Sequence, residues 1–222
     1  MAQTENVYSQ KLFIFLYYIW RYFASIMYPP SFMQTSAVPS SELLGHYYQI
    51  AQTPNWFQKT GLASAIYQRT HEARKSRQDR TTQSFPHLQV TNLEYSRAHG
   101  KMALQRYVKG TLSETRLVDP GTYFVQFHKN DVVGYISPMG LYRILRFEKH
   151  PEFGTFLFVA SYSPKYSWLL WKPPLDKASL LKAYNYALSL LWWFSAIGAD
   201  TSSLKVIKPQ ELYEILELHE FS

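Results

Sequence analysis

The sequence predicts an all-β fold, an eight-stranded antiparallel up-and-down barrel with a long helix packed outside it, on three observations. Aromatic residues make up 17% of the 222 residues, 18 of them Tyr and 14 Phe, a composition suited to pleated, half-buried surfaces. Short alternating apolar stretches recur between residues 45 and 171, divided by turns that carry Gly, Pro, Asp, Asn or Ser. The gaps between them have no room for the helical crossovers of a parallel sheet, so meander connectivity is the natural choice. A sandwich or a barrel satisfies these patterns. Closure into a barrel also removes edges that so aromatic a sheet could not present safely to water.

At the N-terminus, residues 12–20 (LFIFLYYIW) form an apolar run between Lys11 and Arg21. Its length suits a signal-peptide core, but no clean small-x-small cleavage site follows. A membrane anchor would have to reach Tyr28 and carry Arg21 inside, which is costly. An aromatic segment packed on the domain is the third alternative. Residues 29–41, with three Pro and five Ser or Thr, read as a linker. The expected organisation is therefore a hydrophobic segment and linker at 1–40, a barrel with its helix at 41–208 and a short acidic tail helix at 209–222. The location expected from the first segment is secreted or membrane-associated.

The strands follow in order at residues 45–52, 62–70, 88–96, 102–112, 123–127, 142–147, 156–161 and 167–171. In the first, alternation puts Tyr47, Gln49 and Ala51 on one face. Residues 71–80 (HEARKSRQDR) are almost wholly polar and basic, and no strand belongs there. From Leu175 the period changes to a helical stripe of Leu180, Leu181, Tyr184, Ala187, Leu188 and Leu191, with Asp176 in the N-cap region and an end near Gly198. Leu190 to Phe194 is apolar on nearly every side, so something must cover it. In the tail helix Leu212, Ile215 and Leu216 are expected to face inward.

The order of elements and three local sequences resemble the lipocalins, most closely the bacterial outer-membrane, apolipoprotein D-like and plant temperature-induced branch, over about residues 41–208. The stretch Gly45-His46-Tyr47-Tyr48-Gln49-Ile50-Ala51 resembles that family's opening Gly-x-Trp-Tyr-x-Ile-Ala strand, and Pro54-Asn55-Trp56-Phe57 its first loop. Tyr166, Trp168, Leu170, Lys172 and Pro174 fall on the family's Tyr-x-Trp-x-Leu-x-Arg-x-Pro pattern. A helix, Gly198-Ala199-Asp200 and a short strand complete the order. The resemblance implies a barrel floor made by Gly45, Tyr47 and Lys172. There Tyr and Lys stand where the family has Trp and Arg, leaving a softer cation–π contact of ~0.5–2 kcal/mol.

Family topology and alternation together imply inward positions for Val90 and Asn92, for Val108, Gly110 and Leu112, for Tyr123, Val125 and Phe127, and for Trp168. That is an apolar chamber with isolated polar groups, as in ligand pockets; a core filled by its own side chains is the alternative. Arg106 shares the alternation of Val108, so it can point inward and meet a ligand carboxylate or phosphate, whereas a bulge would turn it outward. Trp56 and Phe57, with Val132, Val133, Tyr135 and Ile136, would rim the open end.

The function expected is binding or transport of a small hydrophobic ligand, such as a fatty acid, lysophospholipid or isoprenoid, without a cofactor or a chemical step. A membrane-associated structural protein with a filled barrel is the rival reading. The seven His are scattered without metal-ligand spacing, no Gly-x-Ser-x-Gly or phosphate-cradling loop appears, and the absence of Cys removes thiol nucleophiles and Cys-ligated metals. A net charge of +7, concentrated in part at Arg69, Arg74, Lys75, Arg77 and Arg80, permits contact with an anionic membrane or an acidic partner. No nucleic-acid partner is expected, because no recognition motif accompanies the charge.

Overall fold

The computed structural model describes residues 35–36, 38–55, 58, 60–69, 87–114, 121–127, 140–161, 166–174 and 179–220. Eight strands follow one another as a meander: β1 (Gly45–Gln52), β2 (Ala63–Arg69), β3 (His87–Ala98), β4 (Lys101–Glu114), β5 (Thr122–Phe127), β6 (Gly140–His150), β7 (Gly154–Ser161) and β8 (Ser167–Lys172). Each pairs antiparallel with the next, β8 pairs with β1 and β1 with β2, so the sheet closes on itself. A ninth strand, β9 (Lys205–Val206), pairs with β1 at Ala51 and Gln52.

The strands are longer than the alternation predicts at several ends, because backbone pairing continues past the last apolar residue. The β3–β4 hairpin is paired out to Ala98 and Lys101 through residues whose side chains face water. Three register shifts interrupt the pattern among the described strands. One, between Gln49 and Ala51, leaves Tyr47 in the barrel interior and moves Ala51 to the outer cluster, which corrects the expectation of one shared face for Tyr47, Gln49 and Ala51. A second lies on β3 and β4 next to the Glu94–Arg106 pair, and a third on β6 between Ile144 and Arg146.

Two apolar layers result. The interior holds Tyr47, Ala65, Tyr67, Leu88, Val90, Leu112, Tyr123, Val125, Ile144, Leu157, Val159 and Leu170. The outer layer lies between the backs of the strands and the C-terminal helices α1 (Leu180–Ser189), α2 (Trp192–Ala196) and α3 (Pro209–Glu220).

The helix after the barrel is broken, not continuous. Between α1 and α2 the amides of Leu190, Leu191, Trp193 and Phe194 each donate to the carbonyl three residues back, a tight 3₁₀-type turn. The turn brings Leu190, Trp193, Phe194 and Ile197 onto the barrel together, which answers how so uniformly apolar a stretch is covered. Phe158 on β7 receives it, with ring centroids 4.9 Å from Phe194 and 5.7 Å from Trp193. The register differs from the expected stripe: Ala183, Tyr184 and Ala187 are buried, whereas Leu181 and Trp192 are more than half exposed. The N-cap is Ser179, without a side-chain cap bond, and Asp176 lies outside the described residues. In α3, Leu212, Ile215 and Leu216 face inward as expected, and Glu211 accepts from the Lys208 amide at 3.0 Å to cap the helix start.

Residues assigned to the linker take part in the fold. The Ser36 amide donates to the Ile144 carbonyl at 2.8 Å, and Val38 belongs to the interior cluster. Gly121 makes room for this passage, since a Cβ there would lie 2.0 Å from the Ser36 carbonyl oxygen.

Candidate functional site: the barrel interior

The floor sits where β1 begins and β8 ends. Lys172 Nζ donates to the Leu44 carbonyl at 2.8 Å and lies 5.9 Å from the centroid of the Tyr47 ring. Gly45 has a φ of +126°, and a Cβ on it would come within 2.8 Å of Lys172 Nζ, so only glycine suits both the backbone and the approach. Leu43 and Val38 fill the space around the floor. The three residues expected to make the floor are thus brought together.

Above the floor the wall is aromatic and phenolic. Tyr47 meets Tyr67 edge to face at 5.5 Å, and Tyr67 and Tyr142 are joined through their hydroxyls. Burial pushes both Tyr67 and Tyr142 well above the ordinary phenol range, so they are neutral hydrogen-bonding groups at any physiological pH. Tyr123 is opposite Tyr142 in the β5–β6 register and is also inside.

Val90 and Leu112 are buried in the same cluster, Val125 joins them, and Phe127 and Trp168 pack at its edge. Val90 pairs with Gly110, whose missing side chain matters: a Cβ there would lie 2.9 Å from the Phe127 ring. Asn92 pairs with Val108 and Glu94 with Arg106, which continues the inward row along β3 and β4.

Exposure rises along this row as far as Asn92 and Val108, and Glu94 beyond them is buried. Leu88, Val90 and Leu112 are buried, whereas Asn92, Val108, Phe127 and Trp168 are only partly so. The partly exposed inward-row residues lie toward the end opposite the floor.

That end is lined with polar groups. Arg106 donates to Glu94 at 2.5 Å, and Glu94 also accepts from the Thr60 amide at 3.1 Å. The Glu94 side chain is 7% exposed and that of Arg106 38%, so the guanidinium faces the mouth while the carboxylate is held behind it. The alternation from Val108 places Arg106 inward, and the bulge lies at Gln105, immediately before Arg106 on β4. Trp168 Nε1 donates to Gln58 at 2.9 Å and Gln52 at 3.2 Å, and Gln58 in turn donates to Gln49 at 3.2 Å.

Trp56, Phe57, Val132, Val133, Tyr135 and Ile136, expected at the rim, lie outside the described residues, as do residues 70–80 of the basic stretch. Sequence reasoning missed Tyr67, Tyr142, Gln49 and Glu94. The signal for Glu94 was present, since it shares the alternation of Val90 and Asn92; a carboxylate beside an apolar chamber makes sense only with Arg106 across the strand.

Among the described residues no three His, Asp or Glu side chains gather as a metal site. No described helix is long and apolar enough to cross a membrane.

No family model and no curated protein matches the sequence. Among solved structures, the chain is similar to the tryptamine complex of the amine binding protein of Rhodnius prolixus, at 11% identity and a TM-score of 0.40, over 78% of this chain and 87% of that one. The closed eight-stranded meander with its external C-terminal helix is a lipocalin-like fold.

Proposed function

We propose that the barrel binds a small hydrophobic molecule with one polar end, of the fatty acid, lysophospholipid or isoprenoid kind, and performs no chemical step. The observation that carries this reading is the gradient along β3 and β4, from buried Leu88 and Val90 to the solvent-reached Asn92, Val108 and Arg106. An apolar tail buried among Val90, Leu112, Val125 and Phe127 gains ~0.8 kcal/mol per methylene, against the cost of ordering it. Its head then lies near Arg106, which prefers a carboxylate or phosphate.

The test is titration of the detergent-free chain with a fluorescent fatty acid, beside Val108→Trp and Arg106→Gln. Saturable binding, lowered at least tenfold by Val108→Trp, is expected. Arg106→Gln should weaken the fatty acid and leave the corresponding alcohol unchanged. A probe that binds neither saturably nor sensitively to Val108→Trp rejects the chamber.

Contact with a membrane, and a secreted or membrane-associated location, rest on the apolar run at 12–20 and on exposed Leu181 and Trp192. Flotation of the chain with vesicles that contain anionic lipid tests them; failure to float discards the membrane reading and leaves the chamber reading standing.

A further inference from the structure

The outer faces of β1, β2 and β3 carry a second polar cluster, covered by α3. Tyr48 Oη lies 3.3 Å from His46 Nδ1, and His46 Nε2 lies 2.7 Å from Ser64 Oγ. Ser64 Oγ is 2.8 Å from Tyr95 Oη, which is 2.5 Å from Nε2 of His219 in the last turn of α3. The contacts form one relay from the barrel into the helix. The two imidazoles also meet directly, with centroids 4.4 Å apart and planes at 83°.

Counting protons along the relay shows what it tolerates. With both imidazoles neutral, Tyr48 donates to His46, His46 to Ser64, Ser64 to Tyr95 and Tyr95 to His219. One added proton on His219 is accommodated by reversing every donor. With two added protons, each imidazole donates toward the middle. The Ser64–Tyr95 link can use only one hydroxyl proton, the other has no acceptor within the relay, and two cations stand in contact.

We propose that this relay is an acid-sensitive latch that holds Pro209–Glu220 on the barrel while at most one of the two histidines is charged, and releases it when both are. The direction of the linkage follows from the environment. Burial, reinforced by the neighbouring His219, lowers His46 to about 3, and burial lowers His219. A released imidazole returns to its ordinary value near ~6.5, so release takes up protons. Docking is then fully stable above that value and weakens as pH falls below it.

Among the described residues, Arg97 of β3 also pairs with Glu214 of α3 across this interface at 2.7 Å.

Hydrogen exchange of the full chain, corrected for intrinsic rates, between pH 7.5 and pH 5 tests the latch. Protection of residues 209–220 should fall about tenfold per pH unit for each proton taken up, while β6 and β7 keep theirs. His219→Gln, which keeps an acceptor for Tyr95 but does not titrate, should reduce that fall to the slope of a single proton; His46→Gln should do the same from the barrel side. The latch is overturned if wild-type residues 209–220 stay protected until the strands themselves open, or if both variants lose protection as steeply with falling pH as the wild type.

Discussion

Gly45 shows how much of the floor rests on one missing side chain. Its φ of +126° and the 2.8 Å approach to Lys172 Nζ both exclude a Cβ. Gly45→Ala should cost about 1–3 kcal/mol in urea unfolding, and Lys172→Met about 1–2 kcal/mol through loss of the Leu44 bond and the Tyr47 contact. Gly45→Ala in the Lys172→Met background should be milder than the sum, because the two changes act on one contact. Gly110 works differently, with an ordinary backbone and a side of the chamber that is closed by Phe127. Gly110→Ala should shift Phe127 and change ligand affinity more than stability.

Among the elements, the strands were largely legible and the helices only in part. A period of two survives in a sequence because every other residue meets the chamber, and β1 matches its expected ends. Bulges cannot be read this way: the one after Gln49 moves Ala51 across the sheet without any change in residue type that announces it. The break between α1 and α2 was hidden for a related reason. Five apolar residues in a row leave the facing side undetermined, and packing on Phe158 decides it. Phe194→Ala should therefore destabilise the protein by about 3–5 kcal/mol, while Trp192→Gln, at a position 53% exposed, should stay within about 0.5 kcal/mol. Thermal and urea unfolding of the two variants side by side would check the assigned register, and equal effects would show it to be wrong.

At the scale of the whole molecule, the floor residues could be found from local sequence, because Gly45 and Tyr47 share a strand and Lys172 ends the one beside it. The polar mouth and the His46–His219 contact could not, since each joins side chains from strands or helices whose neighbourhood only closure defines. Closure also makes the linker residues part of the fold: Val38 sits in the interior cluster and Ser36 bonds to β6. Compared with a chain that lacks residues 1–34, one that lacks 1–40 should have an unfolding midpoint lower by several degrees through loss of Val38 and the Ser36 bonds. The same closure isolates the interior from α3, so the acid-sensitive latch and the chamber are separable by mutation.

The central claim is that the chamber holds a small apolar molecule, and native mass spectrometry of the full chain purified without detergent tests it most directly. A stoichiometric adduct of lipid-like mass is expected that is lost on denaturation, is displaced by added fatty acid and is absent from Val108→Trp. A bare chain that also fails to take up added fatty acid would contradict it.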